Sequence, residues 1–163
     1  MNTAHAASRS APPRFRLPRV ALGALAVGTF DLVFACAWWA VAAKVAPVRI
    51  FQSIAAGLYG DASFDGGVRT ATIGVIAHYF IAACMVLAYA LAASRLPTLI
   101  RFPWRWGAAY GLVLYAAMNF VVVPLSAAGP APVRPAWMIA SVMVHAIIGI
   151  ACAFIARGAL RDQ

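Results

Sequence analysis

Charged residues are scarce in this chain. Only 10% of its 163 residues are charged, whereas 64% are hydrophobic, and the mean hydropathy is +0.86. A soluble domain usually carries about 25% charged and about 45–50% apolar residues. The polar side chains are too few to cover a surface that faces water. This excludes an ordinary soluble domain and indicates a membrane protein.

Cysteine and the motifs of soluble enzymes are also rare or missing. Cys36, Cys84 and Cys152 all fall in apolar segments, and no two of them stand at CxxC spacing. In such segments a cysteine behaves as a small buried hydrophobic residue, and we exclude a disulfide or zinc framework. No phosphate loop, nucleophile elbow or HExxH motif occurs. We predict no catalytic residue and no metal site, although a membrane enzyme that uses His and Asp stays open.

Acidic residues are fewer still, with four Asp and Glu against 13 Lys and Arg, which gives a net charge of +9. The basic residues lie between the apolar runs and form no basic face interleaved with aromatic residues, so we exclude nucleic acid as a partner. The excess suits the anionic cytoplasmic leaflet of a membrane. Residues 1–19, which are basic and contain Pro12, Pro13 and Pro18, are predicted to form a disordered cytoplasmic tail.

Four apolar runs are each long enough to cross about 30 Å of hydrocarbon at about 1.5 Å per residue. They cover residues 20–42, 68–94, 106–127 and 136–157. Four spans cannot close a β-barrel, and lipid offers the backbone no hydrogen-bond partner, so the spans must be helices. The sequence predicts an all-α membrane protein, with residues 20–157 forming a four-transmembrane-helix up-down bundle.

The distribution of basic residues predicts the orientation. One side of the predicted bundle carries nine of them: Arg9, Arg14, Arg16, Arg19, Arg95, Arg101, Arg105, Arg157 and Arg161. The other side carries four: Lys44, Arg49, Arg69 and Arg134. The positive-inside rule therefore predicts that the N-terminus and the C-terminal residues 158–163 are cytoplasmic.

The loop between the first two spans predicts a short amphipathic helix. Pro47 suits a first helical position, Ile50, Ile54 and Leu58 recur at helical spacing, and Gly60 ends the pattern. A helix of this kind commonly lies in the membrane interface.

Arg49 and Gln52 fall on the other face of this predicted helix. Two roles stay open for them. Arg49 anchors the helix by holding a lipid phosphate, or both side chains face a ligand from a lid over the bundle.

Each span carries one conspicuous polar residue near its middle: Asp31, His78, Asn119 and His145. Their positions along the spans predict nearly the same depth in the membrane. Small residues accompany each one at helical spacing, which is typical of helix contacts in lipid. An Asp at a helix centre costs about 2.5–3.5 kcal/mol on insertion scales, so it needs a partner. We predict one intramembrane polar cluster, and both a structural and a functional role stay open.

Several stretches resemble one group of proteins. "GTFDLVFA", "PVRIFQSIAAGLYG", "GVIAHYFIA", "YAAMNFVVVPLSA" and "SVMVHAIIGI" are similar to segments of small four-span bacterial inner-membrane proteins with no assigned activity. The resemblance covers residues 20–157. It implies a multi-pass protein of the bacterial inner membrane, and it implies no substrate, cofactor or catalytic residue.

Three functions are compatible with these features. The first is a small non-catalytic bundle without a cofactor, acting as an accessory subunit or binding a lipid or small solute at the polar cluster. The second is electron transfer by a b-type haem, with His78 and His145 as axial ligands from the diagonal spans two and four. The third is a proton or solute pathway through Asp31, His78 and His145 in an oligomer. The predicted partners are the lipid bilayer and either another membrane protein or further copies of the chain.

Overall fold

The computed structural model describes residues 16–129 and 134–160. Within these ranges every regular element is a helix, and no strand occurs. Four helices are long and apolar enough to cross a membrane: Leu17–Ala43, Gly67–Arg95, Pro103–Leu125 and Pro135–Leu160. The all-α fold with four candidate spans is confirmed, and it fits a multi-pass membrane protein.

The element boundaries refine the predicted ones. Helix α1 is Leu17–Ala43, α3 is Gly67–Arg95 and α7 is Pro135–Leu160. The third spanning helix consists of α5 (Pro103–Ala117), a π-helical segment (Met118–Val122) and α6 (Val123–Leu125).

Helices α1 and α7 are longer than the first and fourth predicted spans. Residues 17–19 belong to α1 and not to a tail, because Pro18 stands in the first helical turn, where its fixed φ suits a helix start. Helix α7 continues through Gly158 to Leu160. Residues 1–15 of the predicted tail and residues 161–163 lie outside the described residues.

The predicted short helix between the first two spans is confirmed as α2, Pro47–Tyr59. Pro47 stands in its first turn, and Gly60 follows its end with a φ of 59°, in the left-handed region that favours glycine. A 3₁₀ turn, Gly60–Phe64, then leads to α3. A further short helix, α4 (Thr98–Arg101), precedes α5.

Helices α1, α3 and α7 pack on one another, and α5 packs mainly on α7. The core of the bundle contains Val86 and Tyr89 of α3 with Ile148 and Cys152 of α7. Spans two and four, which the haem hypothesis pairs, are in direct contact as helices α3 and α7. Their shared core contains small buried residues, Ala90 and Ala93 on α3 and Ala153 and Ala156 on α7, which allow a close approach.

Glycines set the closest helix contacts. Gly107 and Gly111 of α5 meet Gly149 of α7 so closely that a Cβ at Gly149 would overlap the α5 backbone. Gly74 of α3 meets the Phe51 carbonyl of α2 in the same way. In lipid, where no hydrophobic force drives helices together, such backbone approach is a main source of packing energy.

Many large apolar side chains on the outside of the bundle are exposed. Examples on three different helices are Leu22, Phe80 and Phe120. A soluble protein rarely exposes so much contiguous apolar surface. On a membrane protein this surface faces acyl chains.

Candidate functional site

A cavity of about 290 Å³ lies in the half of the bundle that carries α2. It is bounded by α1, α2, α3, the third spanning helix and α7. The polar side chains that line it are Asp31, Ser53, His78, Asn119, Ser141 and His145. All four members of the predicted polar cluster therefore face one cavity.

Asp31 and His78 face each other across the α1–α3 contact. The distance from Asp31 Oδ2 to His78 Nε2 is 4.0 Å, which allows electrostatic attraction but is too long for a hydrogen bond. His78 Nε2 lies 2.8 Å from the carbonyl oxygen of Gly28. Because a carbonyl only accepts, His78 Nε2 carries a proton and donates it there.

The Asp31 carboxylate consequently has spare accepting capacity. Among the described residues, no side chain or backbone group donates a hydrogen bond to it. The Asp31 side chain is 31% exposed although it lies in the middle of an apolar helix. An ionised carboxylate accepts several hydrogen bonds, so a ligand can satisfy this one.

His145 is oriented by its own helix. Its Nδ1 lies 2.8 Å from the carbonyl oxygen of Ser141, one turn earlier in α7, and donates a proton to it. The edge of the Tyr115 ring packs against the imidazole, with 5.6 Å between ring centroids. In the neutral imidazole Nε2 then has a free lone pair, and no donor within the described residues occupies it.

Asn119 lies in the π-helical segment, and its Nδ2 donates to the Tyr115 carbonyl at 2.9 Å. Its Oδ1 is free of partners from the described part of the chain. Pro124 explains the π turn, because it has no N–H and its ring displaces the carbonyl four residues before it. Sequence reasoning missed this turn, although a proline five residues after Asn119 was a signal for it.

Arg49 and Gln52 hold α2 in place. Arg49 donates to Gln52 Oε1 at 3.2 Å and to the Phe64 carbonyl at 2.9 Å, and its guanidinium stacks over the Phe64 ring. Gln52 is only 3% exposed, and its Nε2 donates to the Gly67 carbonyl at 3.1 Å. Neither side chain lines the cavity. The residues of α2 that line it are Ile50, Ser53 and Ile54.

An aromatic cluster forms one end of the cavity, and sequence reasoning missed this role. Trp39 of α1 and Trp137 of α7 line the cavity, with 5.3 Å between their ring centroids. Phe34 and Trp38 pack against Trp137 from the other side, and the Arg134 guanidinium lies 5.3 Å from the Trp39 ring centroid. The signal was available, since Trp38 and Trp39 lie a turn inside the predicted end of the first span.

The haem hypothesis requires one unprotonated imidazole nitrogen from each histidine. In the neutral imidazoles this nitrogen is Nε2 of His145 and Nδ1 of His78, because His145 Nδ1 donates to Ser141 and His78 Nε2 donates to Gly28. Helices α3 and α7, which carry the two histidines, are in direct contact. Within residues 16–129 and 134–160, no three His, Cys, Asp or Glu side chains come together as metal ligands.

Comparison with known proteins finds no match to any family model, curated protein or solved structure.

Proposed function

We propose that this chain is a non-catalytic multi-pass protein of the bacterial inner membrane that binds one small ligand in the cavity beside Asp31. One observation carries the proposal. The four mid-span polar side chains border a cavity, and the carboxylate among them accepts no hydrogen bond from the described residues. A purely structural cluster would pair its donors and acceptors with one another and leave no space between them.

The size and lining of the cavity suit a small molecule. Its volume of about 290 Å³ lies near the lower end of ligand pockets, which span about 300–1,000 Å³. Apolar side chains such as Leu32, Ile81 and Ile148 form most of its walls, and the polar groups are few and convergent. Specific pockets typically combine an apolar wall with a few polar groups in this way.

The location and orientation rest on charge and on the sequence resemblance. Basic residues are concentrated at the end of the bundle that holds the start of α1 and the end of α7, as expected for a cytoplasmic face. The bilayer itself is then the principal partner. Assembly with another membrane protein or with further copies stays a prediction.

Native mass spectrometry of the protein released from its own membrane tests the proposal. Wild-type protein is expected to carry one bound molecule. Ala35→Leu, which fills part of the cavity, should lose it, because Ala35 lines the space. Ala37→Leu is the matched control on the exposed face of the same helix and should keep it. Absence of any bound molecule, or equal retention by both variants, would overturn the proposal.

The same purified sample tests the haem alternative. What favours it is that His78 and His145 line one cavity. An absorption spectrum with a Soret band that disappears in His145→Ala would establish haem binding. A spectrum without that band would end the alternative.

A further inference from the structure

Three hydrogen-bond acceptors that face the cavity receive no hydrogen bond from the described residues. They are the Asp31 carboxylate, Nε2 of His145 and Oδ1 of Asn119. Several donors of the cluster are directed to the backbone: His78 Nε2 donates to Gly28, His145 Nδ1 to Ser141 and Asn119 Nδ2 to Tyr115. A ligand that satisfies the three free acceptors must supply protons to them.

The charge of the cavity also favours a ligand that donates protons. Among the described residues, Asp31 is the one carboxylate that lines it, and none of the lining residues is Lys or Arg. An unpaired carboxylate in an apolar setting is costly, and a cation offsets that cost. The ring of Trp137 borders the same space, and the face of an indole ring attracts cations; the Trp39 ring beside it already has the Arg134 guanidinium over it.

The opening of the cavity lies on the side of the bundle. Ser53 of α2, Asn119 of the π-helical segment and Val123 of α6 are its exposed lining residues, and the others are buried or half-buried. The gap between α2 and the third spanning helix is therefore the entrance. Asn119 stands six residues before Leu125, the end of that helix, which places it about 9 Å along the axis from the end.

The surroundings of this entrance are apolar. Phe120 is 76% exposed and Leu125 is 83% exposed on the third spanning helix, and Leu58 of α2 is 62% exposed. With these apolar neighbours, the gap opens beside surface of the kind that faces acyl chains. A ligand that arrives by this path travels within the bilayer.

We infer that the cavity takes the cationic head of a single-chain alkylammonium amphiphile, which enters sideways between α2 and the π-helical segment. The ammonium donates to Asp31, His145 and Asn119, and its chain leaves through the gap beside Val123. This inference rests on the proposed function, because it assumes that the cavity binds a ligand, and it adds the charge of the ligand and its path.

Equilibrium binding of radiolabelled dodecylamine to the full chain in lipid nanodiscs tests the inference, with empty nanodiscs as background. We expect one saturable site per chain. Unlabelled dodecylamine should compete for it, whereas dodecanoate and dodecanol should not. This comparison needs only the wild-type protein, so it does not depend on whether a variant folds.

Two pairs of variants locate the site and its entrance. Asp31→Asn should weaken dodecylamine binding about tenfold or more, because it removes the charged acceptor. Asp61→Asn, an exposed carboxylate on the 3₁₀ turn outside the cavity, should leave binding unchanged. Val123→Trp should slow both uptake and release by narrowing the gap. Val121→Trp, on the same helix but outside the cavity lining, should not.

Competition by dodecanoate or dodecanol as strong as that by dodecylamine would overturn the cationic class. Unchanged binding in Asp31→Asn would overturn it as well, and unchanged rates in Val123→Trp would overturn the lateral path. None of these results removes the molecule detected by native mass spectrometry and lost in Ala35→Leu. Failure of this inference is therefore distinguishable from failure of the proposed function.

Discussion

The contact between α5 and α7 positions one side of the site, and Gly111→Ala tests it directly. A Cβ at this position would lie 2.6 Å from the carbonyl carbon of His145 and 2.7 Å from Cα of Ala146. Carbon atoms at their optimal separation are about 3.5–4.0 Å apart. Because these neighbours are backbone atoms, no side-chain rotation relieves the overlap. The two helices must separate locally by about 1 Å.

The expected change in the free energy of unfolding results from two opposing effects. Overpacking costs about 1–3 kcal/mol, and backbone against backbone belongs at the upper end of that range. Replacing glycine by alanine in a helix returns about 1 kcal/mol through helix propensity. We expect a net loss of about 2 kcal/mol in the free energy of unfolding. Because the overlap involves the His145 backbone, the variant should also displace the imidazole and weaken ligand binding.

The assay is unfolding in dodecylmaltoside micelles by increasing mole fraction of SDS, followed by far-UV circular dichroism. Gly57→Ala is the matched control, because a Cβ there would meet only Ser126, at 3.8 Å, an ordinary contact. That control should be neutral or stabilising by up to about 1 kcal/mol. If Gly111→Ala unfolds at the same SDS mole fraction as Gly57→Ala, the close approach of α5 and α7 is refuted.

Three further predictions use the same protein. Reporter fusions after Gln163 or within residues 97–103 should report a cytoplasmic location, and fusions within 60–67 the opposite side; the reverse pattern would refute the orientation. Asp31→Leu should unfold at the same or a higher SDS fraction, because the carboxylate accepts no hydrogen bond from the described residues and its desolvation is relieved. A loss above about 1 kcal/mol would contradict this. Gln52→Leu should cost about 1–3 kcal/mol in the same assay, since it removes the buried hydrogen bonds that Gln52 donates to the Gly67 carbonyl and accepts from Arg49. Ser53→Ala, whose exposed hydroxyl bonds only to Ile50 of its own helix, should cost little, and an equal loss in both variants would rule out the proposed role of Gln52.

The polar residues of the site were recognisable from the sequence because depth in a membrane is nearly a one-dimensional property. Each residue advances a helix by about 1.5 Å, so positions along four apolar runs predict which side chains share a level. This reasoning singled out Asp31, His78, Asn119 and His145, all of which line the same cavity. The short helix α2 was predictable for a similar reason, since Pro47 and Gly60 mark its ends locally.

The roles of other residues depended on distant partners and were not predictable. Gln52 belongs to the polar face of an isolated α2, yet it is buried because Gly67 and Arg49 lie beside it in the fold. The proton positions of His78 and His145 depend on carbonyls at Gly28 and Ser141, whose distances only the folded backbone supplies. A sequence pattern carries no information on such distances.

The sequence by itself determined that lipid is the solvent for most of the chain, how many candidate spans there are and how far along each span the polar residue lies. These follow from apolar composition and from the fixed rise of a helix. Only the tertiary structure decided which helices touch, where the cavity opens and which polar groups remain free. The physical reason is that the spanning helices are apolar on nearly every face, so periodicity does not separate the lipid-facing side from the packed side. The packed side of each helix is defined by small residues that match small residues on another helix, such as Gly111 against Gly149. This match exists only when the two helices are in contact.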